Sequence, residues 1–213
     1  MNEKTIRLEA LKKEMEENKT LPLCGEANLV FGEGNSDARA VFIGEAPGFH
    51  ENQQQRPFVG QAGKLLDNLL KSIGWPRNSV YITNIVKRRP PNNRDPLLEE
   101  IEAYKPYLAR QIEIIQPKLI ATLGRFSMNY FLPDAKISRD HGKLMKTEHY
   151  TIYPLYHPAA ALRSTAVLRE LEDDFKKLPE ILNGLQNGAN GGIVEMINKN
   201  AKTNQAADQM PLF

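Results

Sequence analysis

The stretch Ala38-Arg39-Ala40-Val41-Phe42-Ile43-Gly44 is a short, mostly apolar run that stops at a glycine, as a buried parallel strand does. Three similar runs follow at 80–83, 118–123 and 151–156, and the segments between them carry apolar residues at helical spacing. Strands that alternate with helices favour a parallel sheet covered on both faces. The sequence therefore predicts an α/β fold, a three-layer α/β/α sandwich around a four-stranded parallel central sheet.

The chain is expected to contain one folded domain and a tail. With 213 residues it is long enough to bury one good core, and we place the domain at 1–182. Within it, residues 1–37 form a helix and an irregular segment that pack on the sheet. From residue 183 the composition changes to Gly, Asn, Lys and Gln, which is typical of a flexible tail and puts it at 183–213.

Composition excludes several classes of protein. The chain is 41% hydrophobic and 25% charged with a net charge of +2, as in ordinary globular proteins. Its first residues are rich in Lys and Glu and no apolar run is long enough to cross a bilayer, so we expect no membrane association. The single cysteine, Cys24, excludes an internal disulfide and a multi-cysteine metal site. We expect a cytoplasmic, nucleoid-associated monomer.

Ligands of parallel sheets bind outside the carboxyl ends of the strands, which directs attention to the segments that follow them. The first is Gly44-Glu45-Ala46-Pro47-Gly48, with Arg56-Pro57-Phe58-Val59-Gly60-Gln61-Ala62-Gly63 shortly after it. The second is Thr83-Asn84-Ile85-Val86-Lys87, continued by Arg89-Pro90-Pro91-Asn92-Asn93-Arg94. The third is Tyr156-His157-Pro158-Ala159-Ala160-Ala161-Leu162-Arg163. In this order and spacing, the three blocks resemble the motifs of the family 4 uracil-DNA glycosylases, over residues 32–182.

The resemblance implies an enzyme of base excision repair that flips uracil out of single- or double-stranded DNA and hydrolyses its glycosidic bond. It assigns catalysis to Glu45, Asn84 and His157. The uracil-binding residues that it implies are Gly44, Glu45, Ala46, Gly48, Phe58, Asn84 and His157.

The residue types suit this chemistry. Phe58 can stack on a flipped base, and the amide of Asn84 offers the donor and the acceptor that pair with uracil O4 and N3–H. A donor from His157 to uracil O2 stabilises the negative charge that develops on the leaving base. Glu45 positions water or stabilises the cationic sugar, whereas Ala46 stands where family 1 relatives carry a water-activating aspartate. A core phenylalanine, a turn asparagine, a surface glutamate and a satisfied histidine remain the alternatives.

DNA contacts are expected from a helix start, a basic rim and an apolar wedge. Free N–H groups at Gly60, Gln61, Ala62 and Gly63 suit a phosphate. The basic rim comprises Lys87, Arg88, Arg89, Arg94 and Arg163, and Leu162 is the wedge that fills the gap left by the flipped base. For each arginine or lysine, a solvated charged loop is the alternative.

The chain departs from the family at its iron–sulfur cluster. Four cysteines hold the cluster in most members, and here Arg88 and Tyr104 occupy two of those positions while the other two fall near Asn18 and Leu21. Because a single thiolate cannot hold a cubane cluster, we expect no cofactor and no iron. Something else must then tie the N-terminal segment to the loop around Arg88, and a cation–π contact of Arg88 with Tyr104 is one candidate.

Other readings stay open. A cluster-free relative that binds DNA or uracil with little or no catalysis is one alternative, and a uracil-crosslinking variant is another, although Ala46 departs from its first block. A phosphate-binding α/β protein would explain the glycines but not Asn84 and His157 together.

The last residues, Gln209-Met210-Pro211-Leu212-Phe213, resemble the peptide by which bacterial repair proteins bind the sliding clamp. We expect Gln209 to donate and accept hydrogen bonds and Leu212 and Phe213 to enter an apolar pocket of that partner.

Overall fold

The computed structural model describes residues 2–186, and helix α1 (Glu3–Glu17) is the first element within them. The Asn2 side chain caps this helix by accepting a hydrogen bond from the Thr5 N–H at 2.8 Å. Its buried face carries Leu8, Leu11 and Met15. The other helices are α2 (Phe49–Gln54), α3 (Gln61–Ser72), α4 (Leu98–Ile115), α5 (Arg125–Phe131), α6 (Ile137–Asp140), α7 (Pro158–Ala161) and α8 (Thr165–Gln186). The strands are β1 (Glu33–Gly34), β2 (Ala40–Gly44), β3 (Tyr81–Asn84), β4 (Leu119–Leu123), β5 (Met145–Lys146) and β6 (Thr151–Leu155).

These strands form one sheet in the order β1-β3-β2-β4-β6-β5. The middle four strands, β3, β2, β4 and β6, are parallel, as predicted from the sequence. Two further strands, β1 and β5, pair antiparallel at the edges, so the sheet is mixed and has six strands rather than four. Each edge strand has two residues, which is too short to show alternation of apolar and polar side chains.

Each face of the sheet carries its own apolar cluster, because successive strand residues point to opposite sides. From β2, Phe42 points toward α3 and α8, where its ring stacks on Phe175 with centroids 5.8 Å apart. Its neighbours Val41 and Ile43 point the other way, into the cluster that α1 and α4 complete. With both faces buried, the predicted three-layer α/β/α sandwich is confirmed.

Helix α8 continues to Gln186, four residues past the expected end of the domain at residue 182. It does so because Leu185 still packs against the apolar cluster that α3 and α8 share. The terminal peptide with Gln209, Leu212 and Phe213 lies outside the described residues. Within 2–186, no helix is long and apolar enough to cross a membrane.

Candidate active site

A cavity of about 380 Å³ opens at the carboxyl ends of the parallel strands. Most of the predicted uracil-binding residues meet there, although they come from segments up to about a hundred residues apart in the chain. Its lining includes the predicted residues Glu45, Ala46, Gly48, Phe58, Ala62, Asn84, Arg94, His157 and Arg163. Pro47, Glu51, Pro90, Asn93 and Ala159 complete it.

Asn84 is the last residue of β3 and is 2% exposed. Its side-chain oxygen is buried and has no hydrogen-bond partner among the described residues. Since an unpaired buried acceptor costs about 1–3 kcal/mol, such groups are rare outside sites that bind something. Asn84 lines the cavity, and its unpaired oxygen lies within the cavity wall, next to Gly44.

Phe58 forms the neighbouring wall and is 6% exposed. Its backbone φ of 51° lies in the left-handed region, which is uncommon for a phenylalanine and typical of strained functional positions. Gly44, at the end of β2, allows this arrangement, because a Cβ there would collide with the side chains of Phe58 and Asn84. Gly63 lies against the Phe58 carbonyl with no space for a side chain, so α3 packs directly on this segment.

His157 follows β6 and faces Phe58, with ring centroids 5.6 Å apart. Its Nδ1 accepts a hydrogen bond from the Ala159 N–H at 3.1 Å, which makes His157 the cap of α7. An accepting Nδ1 carries no proton, so in the neutral ring the proton is on Nε2. Burial lowers the pKa of His157 to about 4, against a smaller opposing effect of Glu51, so the ring is neutral at physiological pH. His157 thus offers one N–H donor, from Nε2.

Glu45 is the residue after β2, and its carboxyl is partly buried in the cavity wall. Burial, with a further contribution from the negative charge of Asp95, raises the pKa of Glu45 to about 7. Arg125 acts in the opposite direction and favours the carboxylate. A carboxyl that titrates near neutral pH is common at catalytic positions.

Glu51 is a site residue that the sequence analysis missed. Its Oε1 accepts hydrogen bonds from the N–H groups of Val59 and Gly60, at 2.9 and 2.8 Å. The expectation that a phosphate binds the N–H of Gly60 was therefore wrong, because a carboxylate of the protein already occupies this helix start. Glu51 precedes its two partners by eight and nine residues, which is farther than local capping patterns reach. The one signal in the sequence is an acidic side chain shortly before a glycine-rich helix start.

The other residues predicted at this helix start differ in position. Ala62 lines the cavity, whereas Gln61 is exposed on the first turn of α3 and Gly63 is buried against Phe58. Phosphate binding here remains a prediction for Gln61 and Ala62 only.

Two members of the predicted basic rim are in fact buried. The Lys87 side chain is 0% exposed, and its Nζ donates to Thr83 Oγ1 at 2.6 Å and to Gln111 Oε1 at 2.5 Å. Arg88 is 5% exposed and donates to the Ala27 carbonyl at 3.0 Å. Both were wrongly assigned to DNA, because the chain turns inward after Asn84 and carries these side chains into the protein.

Of the remaining rim residues, Arg94 and Arg163 line the cavity and Arg89 does not. Arg89 is partly exposed, donates to Asn93 and lies 5.2 Å from the centre of the Phe49 ring. Arg94 lines the cavity but is bound by both oxygens of Glu100, at 2.9 and 2.6 Å. Arg163 is exposed beside the cavity. The predicted wedge, Leu162, is next to it and is 52% exposed.

The positions that correspond to cluster cysteines do not fit an iron–sulfur cluster. Arg88 donates to the Ala27 carbonyl, and the Tyr104 hydroxyl donates to the Pro22 carbonyl at 2.6 Å. These two hydrogen bonds tie the N-terminal segment to the domain. The expected cation–π contact between Arg88 and Tyr104 is not among the contacts of residues 2–186. In the same part of the chain no group of three His, Cys, Asp or Glu side chains is placed to hold a metal ion.

Comparison with known proteins identifies the family of the chain. The family model of the uracil DNA glycosylase superfamily matches residues 31–183. A type-4 uracil-DNA glycosylase of Sulfurisphaera tokodaii is 49% identical over 164 residues, which is 72% of this chain and 74% of that protein. One from Saccharolobus solfataricus is 48% identical over 73% of this chain and 76% of its own length. One from Archaeoglobus fulgidus is 47% identical, over 73% of this chain and 83% of its own length. The chain therefore belongs to the uracil-DNA glycosylase superfamily, within its type-4 (family 4) branch.

Proposed function

We propose that this protein is a monofunctional uracil-DNA glycosylase of base excision repair. The observation that carries the proposal is that one cavity is lined both by Asn84, whose side-chain oxygen is an unpaired acceptor, and by His157, whose Nε2–H is a single neutral donor. Relatives that are 41–49% identical and are named type-4 uracil-DNA glycosylases support it.

Recognition follows from the hydrogen-bonding groups of the base. Uracil presents an N3–H donor flanked by the O4 and O2 acceptors. The Asn84 oxygen accepts from N3–H and its amide nitrogen donates to O4, while Phe58 stacks on the ring. Cytosine has an acceptor at N3 and an amine at the fourth position, so both hydrogen bonds to Asn84 would be lost.

Cleavage then needs charge stabilisation more than a strong base. As the bond between C1′ and N1 breaks, its electron pair goes to uracil, and the donor from His157 stabilises the charge on O2. The sugar becomes cationic, and the Glu45 carboxylate stabilises it and orients the water that attacks C1′. The attacking water loses its proton to Glu45 or solvent, and the uracil anion is later protonated by solvent.

Water is the nucleophile in this proposal because no lysine is among the residues that line the cavity within the described chain. The one lysine of the second block, Lys87, is buried and bound to Thr83 and Gln111. Without an amine to form a Schiff base, we expect no cleavage of the DNA strand by the enzyme. We also propose that the reaction needs no cofactor. The enzyme acts as a monomer in the cytoplasm, where its DNA substrate lies.

The direct experiment incubates the protein with an oligonucleotide that contains one uracil, followed by alkali to break the strand at the abasic site. Wild type should yield product, and the matched cytosine oligonucleotide should not. His157→Ala should lower the single-turnover rate roughly 10²–10³-fold, the usual effect of removing one donor to a developing anion, with little loss of DNA affinity. Tight DNA binding by wild type without product would favour the alternative of a catalytically inactive relative.

A further inference from the structure

We infer that the exposed ion pair between Asp95 and Arg125 is a positioning element that tunes the charge of the half-buried Glu45, so that both residues act on catalysis through Glu45. The inference deepens the proposed function and rests on it. Neither residue lines the cavity, and the resemblance to known glycosylases assigned neither of them a role.

The topology of the sheet brings the pair next to Glu45. Strands β2 and β4 are parallel neighbours in which Ile43 is level with Thr122. The first turn of α5 lies against the end of β2, because Ser127 Oγ donates to the Ile43 carbonyl. Arg125, the first residue of α5, therefore lies close to the segment in which Glu45 follows β2. Asp95 directly follows Arg94, which lines the cavity, and the ion pair joins it to Arg125.

The pair is well defined although it is open to solvent. Arg125 Nη2 donates to Asp95 Oδ2 at 2.8 Å, and both side chains are 63% exposed. The guanidinium carbon of Arg125 also lies 4.4 Å from the centre of the Phe126 ring, which restrains the arginine.

Glu45 has no stronger partner to fix its charge. Among residues 2–186 no hydrogen bond or ion pair to its carboxyl contributes to its pKa, which burial raises and on which Asp95 and Arg125 then act in opposite directions. The other ionisable groups around the cavity are bound to a partner, neutral or exposed to solvent. Glu51 binds two backbone N–H groups, Arg94 binds Glu100, His157 is neutral and Arg163, at the edge of the cavity, is exposed.

A cation at this place has a use once DNA is bound. Phosphates at the mouth add negative potential, which further favours the protonated form of Glu45. Arg125 opposes this effect and keeps the carboxylate available to the cationic sugar. Asp95 holds Arg125 in position, at the cost of a like charge near Glu45.

The test compares neutralisation of each member of the pair by Asp95→Asn and Arg125→Gln. Single-turnover excision is measured against pH with enzyme in excess over a uracil oligonucleotide. The wild-type rate should rise with pH to a plateau, with a midpoint that follows Glu45. Asp95→Asn should lower the midpoint and Arg125→Gln should raise it, each by about 0.5–1 pH unit for an exposed pair. The double variant should return toward wild type.

A matched control removes an arginine from another exposed ion pair far from the cavity. Arg110 binds Glu14 with 47% of each side chain exposed, so Arg110→Gln should keep the wild-type midpoint. The titration of the Glu45 side-chain carboxyl, followed by ¹³C NMR in the free protein, should shift in the same directions in the same variants. This readout does not depend on excision, so a protein without activity would refute the proposed function and still test the ion pair.

Midpoints and NMR titrations that stay at the wild-type value in both variants, or move in the same direction, would overturn the inference. A lower DNA affinity of Arg125→Gln with an unchanged midpoint would also overturn it and would instead make Arg125 a phosphate ligand. Thermal unfolding of each variant separates these outcomes from loss of the fold.

Discussion

At the scale of single residues, His157 and Glu45 titrate outside their usual ranges in opposite directions. The pKa of His157 falls to about 4 and that of Glu45 rises to about 7, in both cases mainly because burial disfavours the charged form. Between these values the histidine is neutral while the glutamate gains its charge. The rate of excision should therefore follow Glu45 through the neutral range, with His157 as a constant donor.

The same burial should make Glu45 destabilising. Its folded-state pKa of about 7 lies above the ordinary 4.5, so stability is lost as pH rises from about 4.5 to 7. Allowing for solvent screening of this partly exposed group, Glu45→Gln should raise the free energy of unfolding by about 1–2 kcal/mol above pH 7 and change it little below pH 4.5. Urea unfolding at several pH values measures this difference.

Glu51→Gln is the matched control, because the Glu51 carboxylate accepts two backbone N–H bonds and the neutral amide oxygen of glutamine would accept them more weakly, which should destabilise the protein. A Glu45→Gln variant that is less stable than wild type at pH 8 would contradict the prediction that the charged Glu45 side chain destabilises the fold.

At the scale of elements, the four parallel strands were predictable because each is a short apolar run ending near Gly, Asn or His. Their carboxyl ends then identified Glu45, Asn84 and His157 as neighbours. What the sequence did not reveal depends on the path of the chain after a strand ends. Lys87 and Arg88 follow β3 by a few residues and look like a solvated basic run, but Thr83, Gln111 and Ala27 bind them inside the protein.

Glu51 was missed for a related reason. Its partners at Val59 and Gly60 are brought to it by the loop between α2 and α3, and this proximity has no periodic signature. The two-residue edge strands likewise depend on pairing with β3 and β6 rather than on their own sequence.

Because Lys87 is buried and Arg163 is exposed, we expect the two residues to differ in their effect on DNA binding. Arg163→Gln should reduce the dependence of DNA affinity on salt, lowering the slope of log K against log salt by about 1, because one phosphate contact is lost. Lys87→Met should leave this slope unchanged, since its amine lies 2.6 Å from Thr83 and not at the surface. A fluorescence anisotropy titration with an oligonucleotide at several salt concentrations measures both. Equal reductions in slope for the two variants would instead show that Lys87 contacts DNA.

At the scale of the whole molecule, hydrogen bonds stand where most relatives of family 4 have a cluster. Asn18 donates to the Tyr107 hydroxyl at 2.9 Å, Tyr104 donates to the Pro22 carbonyl and Arg88 to the Ala27 carbonyl. Leu21 is buried in the same apolar cluster as Tyr104. The N-terminal segment is therefore attached by neutral and charge-assisted hydrogen bonds together with apolar packing, contacts that need no metal.

We predict that the purified protein is colourless and free of iron, and that Cys24→Ser excises uracil at nearly the wild-type rate. Cys24 is the only thiol in the chain, and one thiolate cannot hold a cubane cluster. Iron analysis and an absorption spectrum of protein purified without oxygen measure this directly. Stoichiometric iron with a broad band near about 400 nm would contradict it.

We further propose that the terminal peptide binds a bacterial sliding clamp. The proposal rests on the sequence Gln209-Met210-Pro211-Leu212-Phe213, joined to the last described helix by about twenty residues. A tethered second site raises the local concentration of enzyme near newly copied DNA. Deleting 209–213 should abolish clamp binding in surface plasmon resonance and leave excision on free oligonucleotides intact. The proposal fails when full-length and truncated proteins bind the clamp equally, or when neither binds.

Recognition of uracil by Asn84 is tested most directly by single-turnover excision with wild type and Asn84→Asp on matched uracil and cytosine oligonucleotides. The variant keeps the size of the side chain but replaces the amide donor with an acceptor, so its contact with uracil O4 becomes repulsive. Wild type should excise uracil and leave cytosine, Asn84→Asp should lose most uracil excision, and any new activity should be toward cytosine. Uracil excision by Asn84→Asp at the wild-type rate would contradict recognition of the base by Asn84.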